Sequence, residues 1–182
     1  MPRANNGQQA NEWIRLLNLQ AHQEGGFYAE AYRSDDQGTL ERLHGQTRSC
    51  STSIYYLLAD PASPRSHFHR IQADEIWHFY GGRPLVVHEL DEQTSSHVEH
   101  VLHNALTVSN DARPQVVIPH GKWFAAELMS VDAAGDQDDY TLCGCTCAPG
   151  FDFKDFECAK RSYLLDKFPH LSDLITRLTP PE

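Results

Sequence analysis

Between residues 27 and 147 the apolar positions fall in short runs separated by turn residues. Ser51–Leu58 carries Ile54, Tyr55, Tyr56, Leu57 and Leu58 in succession. Glu75–Tyr80, Pro84–Leu90, Val98–Leu102, Gln115–Ile118, Trp123–Met129 and Tyr140–Cys147 follow, and Phe27–Arg33 reads as one more extended segment. Asp60-Pro61, Ser63-Pro64, Gly81-Gly82, Asn110-Asp111, Pro119-His120-Gly121 and Ala134-Gly135-Asp136 punctuate them. Strands at spacings of about 8–12 residues predict an antiparallel sandwich or barrel rather than alternating β-α units.

Helical periodicity appears only outside this region. Trp13, Leu16 and Leu17 share one face, which predicts a short helix over 11–19, capped by Asn11 and preceded by a frayed polar stretch at 1–10. Gly25-Gly26 ends that helical region. Beyond Pro149-Gly150, Phe151, Phe153 and Phe156 are interleaved with polar residues, so their rings should seal one face. Arg161–Lys167 and Leu171–Leu178 predict two short helices separated by Pro169; Leu171, Leu174, Ile175 and Leu178 fall at i, i+3, i+4 and i+7. There is no internal repeat, low-complexity stretch or linker, so residues 1–182 read as one domain.

Charge narrows the partners. Fifteen Lys and Arg against 25 Asp and Glu give a formal charge of −10, which argues against nucleic acid and against an anionic membrane surface. No apolar run approaches the roughly 20 residues of a membrane helix. The start, Met1 to Gln9, lacks the apolar stretch of a signal peptide, and a cytoplasmic location is expected. Cys143, Cys145 and Cys147 alternate along one segment. Neighbours at i and i+2 on a strand sit ~6.5–7 Å apart, awkward for a disulfide. The five cysteines therefore read as reduced thiols, these three as small buried hydrophobes.

Candidate chemistry gathers around histidine. Seven of the eleven lie between 67 and 103. The densest stretch is Ser66-His67-Phe68-His69, followed by Asp74-Glu75-Ile76-Trp77-His78 and closed by Gly81-Gly82. Residues i and i+2 of a strand face one side, so His67 and His69 are expected to point together into a cavity, with a carboxylate returning on the next strand. Two imidazoles and a carboxylate suit a divalent first-row metal. Whether Asp74 or Glu75 supplies that carboxylate depends on register, and a one-residue shift would exchange Glu75 and Trp77 for His78.

The same residues resemble the cupin superfamily, whose first motif is His-x-His, a few residues, Glu, six residues and Gly. Glu75 to Gly82 has that last gap; His69 to Glu75 is longer than usual. The second motif is met by Pro119-His120-Gly121, with Arg113 in place of its leading Gly and Phe124 in place of its ligand His. Glu24-Gly25-Gly26-Phe27, Tyr32-Arg33-Ser34, Thr52 to Leu58, Asp74 to His78, Pro114 to Pro119 and Pro149 to Phe153 are similar to the marks of one cupin family of unknown function. This resemblance spans roughly residues 12–179. It implies a mainly β fold, a double-stranded β-helix or jelly-roll-like barrel with short terminal helices. It also implies a homodimer, and a cavity similar to those of dTDP-sugar epimerases and metal-binding cupins.

Three activities follow as expectations. The first is an epimerase- or isomerase-like enzyme on a small polar metabolite, a sugar or sugar nucleotide, with His69 as base, Glu75 its partner and Tyr55 a donor. The second is a metal enzyme with a divalent ion on His67, His69 and Glu75. The third is a binding module without catalysis. Trp77, His78, Gln115, Trp123, Arg33 and Arg48 are the candidate ligand contacts; the arginines suit an anionic or polar group.

Overall fold

The computed structural model describes residues 8–60, 62–104, 108, 110–129 and 139–182. Helix α1 spans Gln8–Leu16. The strands are β1 Gln20–Ala21, β2 Phe27–Arg33, β3 Gln37–Leu40, β4 Gln46–Ser49, β5 Thr52–Ala59, β6 Arg65–Arg70 and β7 Asp74–Gly82. They continue as β8 Leu85–Asp91, β9 Ser96–Leu102, β10 Gln115–Ile118, β11 Trp123–Leu128, β12 Tyr140–Ala148 and β13 Glu157–Cys158. Helices α2, Arg161–Lys167, and α3, Ser172–Arg177, close the chain. The turn expected at 134–136 and the first seven residues lie outside the described residues.

Two antiparallel sheets face each other. The first runs β1-β2-β5-β12-β7-β10, the second β13-β6-β11-β8-β9, and β3-β4 is a separate ribbon. Among the described residues no ladder joins the sheet edges, so the barrel is open. Alternation of side chains sorts the strands into inner and outer faces. Tyr56, Leu58, Trp77, Val87, Phe124, Ala126, Cys143, Cys145 and Cys147 point between the sheets and form the central core. The three alternating cysteines are thus buried, free thiols.

The outer faces are covered separately. Leu57, Ala59 and Leu142 of the first sheet pack with Ala10 and Leu19 and against Trp13, Ile14 and Leu17 of the α1 region. Phe68, Leu90, Trp123 and Ala125 of the second sheet pack under Leu164, Phe168, Leu174, Ile175 and Leu178. Helix α1 sits three residues earlier than the periodicity predicts, so Asn11 lies inside it and does not cap it. Asn18, at φ 51°, takes the left-handed turn that follows the helix, a role that Asn tolerates.

Candidate functional site

Strand β6 carries an irregularity that decides the site. His69 pairs with Phe124 of β11, while Ser66 pairs with Ala126, so three residues advance on β6 for two on β11. Such a bulge breaks the two-residue side-chain period. Ser66 and His69 therefore both reach Glu24 on the inner side, while Phe68 packs under the terminal helices. His67 is half-buried and does not line the cavity; its backbone N–H donates to Glu24 O at 2.7 Å. The expected His67–His69 pair is taken apart because i and i+2 share a face only on an uninterrupted ladder.

Glu24 reaches the same point from the turn between β1 and β2. Gly25, at φ 110°, and Gly26, at φ 72°, hold this turn. A Cβ on Gly25 would run into Arg65 O of β6, and one on Gly26 would press on the Tyr56 ring. Both glycines are thus needed for the turn to approach β6 and β5. Glu24 Oε2 lies 3.1 Å from His69 Nε2 and 3.3 Å from His22 Nδ1, and Glu24 Oε1 accepts from Ser66 Oγ at 3.1 Å. Tyr56 Oη donates to Gly25 O at 2.8 Å.

These groups open into a cavity of about 390 Å³ between the sheets. Its polar wall includes His22, Glu24, His69 and Glu75, its apolar wall Tyr28, Ile54, Ile71, Phe151, Phe153 and Phe156, and Arg33 with Glu30 lies at the exposed rim. The His69 ring stacks on Phe156 at 5.2 Å and 22°, and lies 4.1 Å from Phe124. His22 meets Tyr28 edge-on at 4.6 Å. The Phe151–Phe156 segment thus does close one side, as its aromatic spacing predicts.

Two carboxyls share this cavity in different states. Burial pushes Glu24 up, but His69 and His22 outweigh it and hold the group down at about 2. Glu75 is pushed up to about 8, first by burial and then by the negative charge of Glu24. Two like charges in one low-dielectric space do not both ionise. Burial also lowers His69, with Glu24 opposing that shift. His69 Nδ1 lies 2.8 Å from His67 O, an oxygen that can only accept, so Nδ1 carries a hydrogen. Its Nε2 then faces the Glu24 carboxylate at 3.1 Å, and the two groups can hold one proton between them.

Residues 11–159 match the family described as Cupin superfamily (DUF985). The chain is a cupin. It is similar to a hypothetical protein from Leishmania major, 30% identical over 97% of this chain and 100% of that one, with a TM-score of 0.83. It is likewise similar to a protein from Shewanella oneidensis, 32% identical over 98% and 100% of the two chains, with a TM-score of 0.81. Among curated proteins, none matches.

Of the residues that the cupin motifs nominate, the structure brings His69 and Glu75 into the cavity, with Arg33 at its rim. Glu75 rather than Asp74 faces inward; Asp74 instead accepts from the backbone N–H of His120 and lies 2.8 Å from its Nδ1. Trp77 is buried in the central core against Tyr56 and Phe124, and its indole N–H has no partner among the described residues. The others lie elsewhere. Tyr55 is on the outer face of β5, edge-on to Tyr80 at 6.2 Å. His78 faces outward to Thr146 Oγ1 at 3.2 Å, beside exposed Gln115. Trp123 turns to the outer face under the helices and donates to Glu92 at 2.7 Å. Arg48 is held by Asp155 at 2.7 and 2.8 Å. For Tyr55, His78, Gln115 and Trp123 the displacement follows from the same alternation that sends the neighbouring residue inward.

Glu24, His22 and Tyr28 are among the cavity residues that reasoning from histidine spacing passes over. The Glu24-Gly25-Gly26 triplet was the signal, since paired glycines mark a close backbone approach. As a metal centre the nominated set does not fit. His67 is outside the cavity, and Phe124 stands where the second motif's ligand is expected. Among the described residues, the group that draws three ligand atoms within 4.8 Å of one another is His88, His97 and Glu99, on other strands. Among the described residues, no helix is long and apolar enough to cross a membrane.

Proposed function

We propose that this cupin binds a small polar metabolite in its cavity and exchanges protons with it, as an isomerase or epimerase does. One observation carries the reading: two buried carboxyls line one cavity, one held ionised beside His69 and the other held protonated. Environments that push paired titratable groups apart assign a base and an acid. With no proton between His69 Nε2 and Glu24 Oε2, the pair takes one there from a carbon next to a carbonyl, and the protonated Glu75 returns one. Glu24 thus fills the orienting role expected of Glu75, and Tyr55, outside the cavity, takes no part. The volume suits a sugar-sized ligand, and Phe151, Phe153 and Phe156 offer rings to its C–H face.

The test is solvent exchange. The full chain is incubated in D₂O with a panel of sugars, oxo acids and sugar nucleotides, and deuterium incorporation is followed by NMR. Incorporation at one carbon, lost in Glu75→Gln and His69→Ala, supports the reading. Binding without incorporation across the panel leaves a binding module, and overturns catalysis.

The same proposal includes a cytoplasmic homodimer. Its support is the set of exposed Tyr55, Tyr80 and Val117 on the outer face of the first sheet, apolar surface that a second copy would cover. Light scattering at twice 20.6 kDa is the expected result, and a monomer at all concentrations the opposing one.

A further inference from the structure

We propose that His88, His97 and Glu99 form a site for one divalent first-row cation, Zn²⁺ by preference, on the outer face of the second sheet and separate from the cavity. The register of β8 and β9 builds it. His88 lies directly across from Glu99, and His97 stands two residues before Glu99 on the same face.

One ligand atom from each of the three residues lies within 4.8 Å of the other two, close to the spacing that one cation would need. His88 Nδ1 is 3.1 Å from His97 Nε2 and 3.7 Å from Glu99 Oε1. The two ring centres are 5.3 Å apart. For two imidazoles on a tetrahedral zinc with Zn–N of ~2.1 Å, the nitrogens stand ~3.4 Å and the ring centres ~5.3 Å apart. Two nitrogens and one carboxylate oxygen select zinc and its transition-metal neighbours over magnesium or calcium.

The surroundings prepare His88 as a ligand. Its far nitrogen, Nε2, lies 3.3 Å from Glu127 Oε1, and Arg177 of α3 holds Glu127 at 2.9 and 3.0 Å. A carboxylate on the far nitrogen fixes the tautomer and turns the Nδ1 lone pair toward the site. His88 is only 3% exposed, so this orientation is set by packing. Without metal, His97 Nε2–H donates to that lone pair; on binding, His97 changes tautomer through solvent, its hydrogen moving to Nδ1, so that the Nε2 lone pair takes the cation with no net proton released. Glu99 is exposed and leaves an entry path, with water completing the shell.

The full chain, stripped with a chelator, is titrated with Zn²⁺ by calorimetry and with Co²⁺ by visible absorption. One site with a tetrahedral Co²⁺ band is expected. Affinity should fall at least about tenfold in His97→Ala and in Glu99→Ala, and by a similar factor in Glu127→Gln, which removes only the supporting carboxylate. His69→Ala should keep the site, because that ring faces the cavity. Affinity unchanged in His97→Ala and Glu99→Ala, affinity lost in His69→Ala, or no Zn²⁺ binding by the wild type would each overturn the proposal. Circular dichroism of each variant checks the fold.

Discussion

Glu24 Oε2 stands 3.1 Å from His69 Nε2, and His69 Nδ1 stands 2.8 Å from His67 O, so both ring nitrogens of one buried imidazole face oxygen. That arrangement makes the imidazole and the carboxylate a single proton-holding unit. Glu24 raises the His69 pKa against the lowering effect of burial. In Glu24→Gln the opposing attraction is gone, and His69 should stay neutral to still lower pH. An NMR titration of the His69 ring protons reads this directly; a shift to higher pH would contradict the pairing. Any turnover found on the substrate panel should fall at least about tenfold, the lower end of a general acid–base contribution being larger still.

Stability should depend on pH through both carboxyls, with opposite signs. Glu24 is held at about 2, below its ordinary 4.5, so its contribution is present above about 4.5 and is lost as pH falls toward about 2. Glu75 is held at about 8, above its ordinary 4.5. Across that window the folded chain keeps a proton that the unfolded chain has released, so stability declines as pH rises from about 4.5 to about 8. Glu75→Gln removes the second effect alone. Relative to wild type, the variant should gain on the order of a few kcal/mol more at pH ~8.5 than at pH ~4.5. Urea unfolding of both proteins at the two pH values measures the difference. An equal gain at both would refute the assignment of Glu75 as a protonated acid.

Much of the β framework was legible because it rests on short-range patterning. Every apolar run from Phe27 to Cys147 became a strand, and Phe151, Phe153 and Phe156 line one side of the cavity. The site was only half legible. His69 and Glu75 follow from motif spacing, but the β6 bulge that separates His67 from His69 arises from pairing with β11, which no local pattern in Ser66–Arg70 announces. Glu24 arrives from a turn 45 residues upstream of His69, and its role depends on how closely two glycines let that turn approach β6. Tyr55 and Tyr56 show the limit most simply: adjacent tyrosines face opposite ways, and the run Ile54–Leu58 is apolar on both faces because each is covered.

Arg48 acts on the cavity through its wall. It clamps Asp155 with two charge-assisted bonds, and Asp155 sits between Phe153 and Phe156, both of which line the cavity. Arg48→Ala leaves the largely buried Asp155 without its partner, at a cost of about 1–3 kcal/mol. Arg48→Lys should recover only part of this, since an ammonium cannot make the fork contact. Chemical denaturation gives the energies. Limited proteolysis within 151–156 should be faster in Arg48→Ala, and an unchanged cleavage rate would show that the clamp does not hold this segment.

The bulge in β6 makes the sharpest comparison, between two histidines that sequence alone treats as a pair. Only His69 borders the cavity, stacked on Phe156 and joined to Glu24, whereas the His67 side chain stands outside it. His67 contributes to the site through its backbone, by donating to Glu24 O and by accepting from His69 Nδ1, and a change to alanine preserves both groups. His67→Ala should therefore leave ligand affinity and solvent exchange within about twofold of wild type, a difference of under about 0.5 kcal/mol. His69→Ala should abolish exchange, because it removes the partner that holds the Glu24 charge and opens a gap against Phe124. Leaving Glu24 buried without that imidazole should also raise its pKa, and the acid limb of the stability curve should move to higher pH. If His67→Ala were as damaging as His69→Ala, the two side chains would share the cavity after all, and the register of β6 against β11 would have to be continuous.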